Sequence, residues 1–146
     1  MSPKIRYYDL LAWECLSSIR DFLGASHNDF FSAIDATKAI SIEQITIAYH
    51  RAKRILEHTE KIKRTESAFL MLMTGEKQIS RAQEEGGISS STTSILAVYV
   101  NENDILDFEN LCNGKLKPNP EIPLPEKALD MDSVVFTRMA KVELSI

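Results

Sequence analysis

The sequence predicts a single α/β domain, a small mixed β-sheet covered by helices. Runs rich in branched and aromatic residues recur at 4–10, 29–35 and 94–100, which marks strands. Between them lie segments whose apolar residues return at helical spacing. A chain of 146 residues is also the length of one compact domain that buries a core without metals or disulfides.

The first run, KIRYYDL at 4–10, opens the chain as a strand, and residues 13–23 follow as a helix punctuated by Gly24. Residues 29–35 form the second strand. Ser41 then stands as an N-cap, and Ile42, Ile45, Tyr49, Ala52, Ile55 and Leu56 share one face of a helix of about four turns. The segment 67–73, SAFLMLM, is apolar all round and rich in Leu and Met. It is expected as a helix at the centre of the core, with Phe69, Leu70 and Leu72 nearly fully buried.

Thr74 and Gly75 break that helix, and a shorter one covers 76–85, closed by Gly86 and Gly87 as left-handed residues. Ser89, Ser90, Ser91, Thr92 and Thr93 are expected as a mobile, solvated connection. SILAVYV at 94–100 is a strand buried on both faces. A helix over 101–113 carries an acidic outer face of Glu102, Asp104, Asp107 and Glu109 and stops at Asn113 and Gly114. Four of the five prolines crowd into 115–125, which is expected as an extended linker. Residues 126–138 are expected helical, and 140–146 alternates like a half-buried last strand.

Composition narrows the functional classes. The 44% hydrophobic and 26% charged residues are those of an ordinary globule, and a net charge of -4 speaks against a surface wholly shaped for nucleic acid. No segment approaches the roughly 20 apolar residues of a membrane helix, and the N-terminus lacks a signal-peptide run, so the expected location is the cytoplasm.

Chemistry-bearing motifs are lacking. Cys15 and Cys112 stand far apart in sequence and form neither a CxxC pair nor a zinc knuckle, so packed, reduced thiols are expected. His50 and His58 are eight residues apart, roughly 12 Å along a helix and too far for one ion, and His27 has no identifiable partner. Gly86-Gly87 lies between a helix and a strand, the reverse of a phosphate loop, and no GK[ST] follows. A GxSxG elbow is absent too. No metal, cofactor or catalytic activity is expected.

One charge feature remains. From His50 to Arg64 the chain carries Arg51, Lys53, Arg54, Lys61, Lys63 and Arg64 against only Glu57 and Glu60. Such an island is either a solvated helix face or a set of phosphate contacts.

Taken in order, SAIDATKA, SIEQITIAYHRAKR, the apolar helix closed by glycine, GEKQISRA with Gln78, Ile79 and Ala82, the GI step into a strand and the closing MAKVEL resemble the TPRKB-like kinase-binding subunits of the KEOPS complex. The likeness is closest over 28–100; ISSSTTS at 88–94 and the proline-rich segment depart from it. The resemblance implies a non-catalytic accessory subunit of the KEOPS tRNA threonylcarbamoyladenosine-modification machine. Such a subunit binds the atypical kinase/ATPase subunit and the CCA end of tRNA. The expected RNA-binding face comprises Lys38, Arg51, Arg54, Lys61, Lys63, Arg64, Gln78 and Arg81; the kinase-binding residues are not identified. The rival expectation is a protein-interaction or regulatory module with no RNA contact.

Overall fold

The structure, a computed structural model, describes residues 2–127 and 132–146. Two compact units emerge, one from the residues up to Thr37 with Ile88–Ile122, the other from Lys38–Gly87 with the described part of Pro123–Ile146.

The first unit holds the sheet. Strands β1 (Lys4–Leu10), β2 (Phe31–Asp35), β3 (Ser94–Tyr99) and β4 (Leu116–Asn119) lie in the order β2-β3-β1-β4. Every pairing is antiparallel, so the sheet is not mixed as expected. Strand direction was illegible because each ladder joins distant parts of the chain, as Lys4 opposite Tyr99 illustrates. Residues 95–99 of β3 are all buried, which agrees with their unbroken apolar run.

Helices α1 (Leu16–Gly24) and α5 (Glu102–Glu109) share a core with one face of this sheet, built from Tyr8, Phe31, Ala33, Ile95, Ala97 and Tyr99 with Ile19, Ile105 and Phe108. Short 3-10 turns, Trp13–Cys15 and Asn110–Cys112, precede α1 and follow α5. Asn113 at φ 48° and Gly114 at φ 85° then reverse the chain, as their residue types suggested.

Three further expectations are corrected, wholly or in part, in this unit. The proline-rich stretch contains β4, whose Pro118 is tolerated because the strand is an edge. Asp104 is not on an outer face but 2% exposed, accepting hydrogen bonds from the Asn28 amide, the Asn28 side chain and the Asp29 amide at 3.2, 3.0 and 3.2 Å. The serine-threonine run is exposed at Ser90, Ser91 and Thr93 as expected, but Thr92 is buried: its hydroxyl accepts from the Ser89 amide and donates to Asp35 at 2.9 Å.

The second unit is helical: α2 (Ile42–His58), α3 (Thr65–Thr74), α4 (Ile79–Gly86) and α6 (Asp132–Ser145). On α3, Ala68, Phe69, Met71, Leu72 and Met73 are buried, whereas Ser67, Leu70 and Thr74 form a half-buried stripe, so Leu70 is less buried than expected. Gly75 at φ +77° ends α3, its amide donating to the Met71 carbonyl at 2.8 Å.

Gly86 and Gly87 are not left-handed. Gly86 is the last residue of α4, where a Cβ would lie 2.5 Å from the Thr74 methyl, and Gly87 is extended at φ -72°. The expected last strand is the end of α6, in which Val135, Met139 and Val142 are buried at helical spacing. The first part of the helix expected over 126–138 includes 128–131, which lie outside the described residues.

Candidate functional site

The basic island lies on α2 and the connection to α3. Ser41 caps α2 by accepting from the Gln44 amide at 3.0 Å, and the Gln44 carbonyl oxygen of the side chain accepts in return from the Ile40 amide at 2.8 Å. The next two amides, of Ile42 and Glu43, donate to the carbonyls of Pro125 and Glu126 at 3.0 and 2.9 Å. The positive end of α2 is therefore satisfied by the chain itself and is no anion site.

Ile45, Ala48, Tyr49, Ala52 and Ile55 bury one side of α2, leaving His50, Lys53, Arg54, Glu57 and His58 exposed. Lys53 rests 5.5 Å from the centre of the Tyr49 ring, which is itself 3% exposed and offers no stacking platform.

In the connection that follows, the Thr59 hydroxyl accepts from the Lys61 amide at 3.1 Å, and Ile62 is buried. With Ile62 turned inward, its neighbours Lys61 and Lys63 are both exposed. Arg64, the N-cap residue of α3, meets Glu66 at 3.4 Å. On α2, Arg51 is half-buried, and Arg54 reaches both oxygens of Glu143 on α6 at 2.7 and 2.9 Å.

Gln78 and Arg81 belong to the other end of α3. Gln78 is the exposed N-cap residue of α4, its side chain unused as a cap, and Arg81 meets Glu76 at 3.6 Å. Ten residues of α3 separate the Lys61–Arg64 connection from this turn, about 15 Å of helix. Lys38, exposed in a 3-10 turn, precedes the 17 residues of α2 and so lies about 25 Å of helix from Lys61. The eight residues thus make one tight group at Lys61, Lys63 and Arg64, with the others spread along the helices.

Sequence reasoning missed two residues that shape this surface. Glu143 holds Arg54, and the stem of Arg138 lies so close over Gly75 that any Cβ there would collide with it. Both come from α6, and no local pattern signals a contact 89 residues away.

In the sheet unit, Glu109 accepts from the Tyr8 hydroxyl at 2.6 Å and from Arg6 at 2.7 Å on the same oxygen. Burial, then the hydrogen bond and negative charge of Glu109, push the Tyr8 hydroxyl far above its ordinary ionisation range. Such a phenol stays protonated and ties β1 to α5. Lys4 and Glu102, paired at 2.6 Å, stabilise each other's charge at the surface, raising the amine and lowering the carboxyl.

Cys15 and Cys112, distant in sequence, come together: both are buried, and the Cys15 thiol lies 4.0 Å from the Cys112 carbonyl oxygen. Burial, helped by Cys15, pushes the Cys112 thiol up to about 12. Beside them opens a groove lined by Leu11, Trp13, Ser18, Leu111 and Lys115, with Trp13 68% and Leu11 60% exposed. Among the described residues no group of three or more His, Cys, Asp or Glu could hold a metal ion, and no helix is long and apolar enough to cross a membrane.

No curated protein matches the chain. The family model described as kinase binding protein CGI-121 matches residues 15–139, which takes in α1 to α5, the first part of α6 and all strands but the first. With that match over most of its length, the chain belongs to the CGI-121 kinase-binding protein family.

Proposed function

We propose that this protein is a non-catalytic, cytoplasmic accessory subunit of the KEOPS tRNA threonylcarbamoyladenosine-modification complex, which binds the atypical kinase/ATPase subunit and the CCA end of tRNA. Family membership carries the reading, since the family is described by its binding to a kinase. The outward presentation of Lys61 and Lys63 around the buried Ile62 supports an RNA contact, because phosphates need cations that solvent can reach.

With Tyr49 buried, base recognition falls to hydrogen bonds, for which the exposed Gln78 amide offers both a donor and an acceptor. A second reading, a protein-interaction module without RNA contact, draws on the exposed Leu11 and Trp13, the kind of apolar and aromatic pair that anchors protein interfaces.

Two measurements test these readings. Mixed with a KEOPS kinase subunit, the purified chain should co-elute and raise its ATPase activity while turning over no ATP alone. Filter binding should show tighter association with intact tRNA than with tRNA lacking its CCA end, and a Lys61→Glu/Lys63→Glu variant should lose it. Equal binding of both RNAs by both proteins would leave the interaction module standing alone.

A further inference from the structure

The arginines and lysines of the basic face differ in their surroundings. Arg54, Arg64 and Arg81 each face a carboxylate of the chain at 2.7, 3.4 and 3.6 Å. Lys61 and Lys63 are exposed and have no ion-pair partner among the described residues. The Arg81 pair is local, formed with Glu76 nearby in the chain, and rests on one long contact; Arg64 meets Glu66, two residues on.

Arg54 is another case. Its Nη2 donates to both oxygens of Glu143 at 2.7 and 2.9 Å, and the partner comes from α6, 89 residues along the chain. The Arg54 side chain nevertheless stays 53% exposed, against 29% for Glu143.

A guanidinium binds a carboxylate and a phosphate through the same kind of N–H donor, so Nη2 cannot serve a phosphate while it holds Glu143, and the carboxylate's charge repels a phosphate from the neighbouring Nε and Nη1 as well. An exposed ion pair holds by only a small margin over its separated, hydrated partners. A phosphate can therefore exchange for Glu143 on Nη2 of Arg54, but there it must displace a carboxylate that is already seated.

We infer that Glu143 is a built-in competitor for an RNA backbone phosphate at Arg54, so that RNA takes the Nη2 donor of this arginine only by expelling the Glu143 carboxylate. The inference rests on the tRNA-binding reading above and adds its regulation: the lysines of the α2–α3 connection meet RNA first, and Arg54 joins by exchange. Removing the charge of Glu143 frees Arg54 in advance.

The test is tRNA binding, by filter retention of a transcript ending in CCA, across a double-mutant cycle of Glu143→Gln and Arg54→Gln. Glu143→Gln should tighten binding about two- to fivefold, the equilibrium margin of an exposed pair. In the Arg54→Gln background the same change should do nothing, because the group for which Glu143 competes is gone. Glu84→Gln removes another exposed carboxylate, on α4 rather than beside Arg54 on α2, and reports the general effect of lost negative charge; it should act alike in both backgrounds.

A Glu143→Gln gain of equal size with and without Arg54, or no gain at all, overturns the inference while leaving RNA binding intact. Binding insensitive to both Lys61→Glu/Lys63→Glu and salt overturns the RNA reading itself, and the inference with it. Thermal melts of each variant check the fold, and Glu143→Ala provides a second removal of the carboxylate if the glutamine re-forms a hydrogen bond to Arg54.

Discussion

Replacing Gly86 by alanine sets helix propensity against packing. In an ordinary helical position the change stabilises by about 0.5–1 kcal/mol. Here the new Cβ would lie 2.5 Å from the Thr74 methyl and 3.2 Å from a terminal carbon of Leu70. The leucine end can yield by a few tenths of an ångström; the threonine methyl cannot.

Its hydroxyl donates to the Leu70 carbonyl at 2.9 Å and accepts from the Glu76 amide at 3.3 Å, which fixes the rotamer that points the methyl at Gly86. Rotating it away loses a hydrogen bond worth about 1 kcal/mol, and leaving it in place incurs the roughly 1–3 kcal/mol of an overpacked contact. The net expectation is a loss of about 1–2 kcal/mol, opposite in sign to propensity alone.

Thr74→Ser deletes the methyl and keeps the hydroxyl, so in that background Gly86→Ala should be neutral or stabilising. Urea unfolding of the four proteins gives the coupling between the sites, expected at about 1 kcal/mol or more. A stabilised Gly86→Ala single mutant, or the same cost with serine at 74, would refute the claim that this glycine exists for the close approach of α4 to α3.

Three further expectations follow from burial and charge. Leu72→Ala, at a site with 0% exposure, should cost about 2–5 kcal/mol, and Leu70→Ala on the half-buried stripe clearly less; equal losses in denaturant would mean α3 has no outer side. Asp104→Ala should cost about 2–3 kcal/mol and Asp104→Asn less, with faster hydrogen exchange at the Asn28 and Asp29 amides; unchanged exchange there would contradict the clamp.

The Cys112 thiol, raised from 9.0 to about 12, keeps its proton in the folded chain where the unfolded chain releases it. Its stabilising contribution is complete below pH 9 and declines as pH rises toward about 12, so Cys112→Ala should flatten the alkaline loss of stability seen by urea titration. An alkaline slope unaltered in that variant would assign the loss to other groups.

The sequence by itself determined the local elements whose signals are carried by adjacent residues. The Ser41 cap and the apolar stripe Ile45, Tyr49, Ala52, Ile55 define α2, and Gly75 ends α3 because a left-handed residue favours glycine. The alternation of Lys61, Ile62 and Lys63 was likewise there to be read, as was the family likeness carried by the order of these pieces. Tertiary structure decided what depends on contacts between distant residues.

Whether 140–146 is a strand or a helix could not be settled by periodicity over seven residues, and the burial of Val135, Met139 and Val142 settled it. Asp104 looked solvated from its neighbours, but its partners stand 75 and 76 residues away. In the candidate site, charge density was legible and charge availability was not. Arg54 and Lys61 are equally cationic in sequence, and only the fold brings Glu143 to one and leaves the other to solvent, because an ion pair is a property of positions in space.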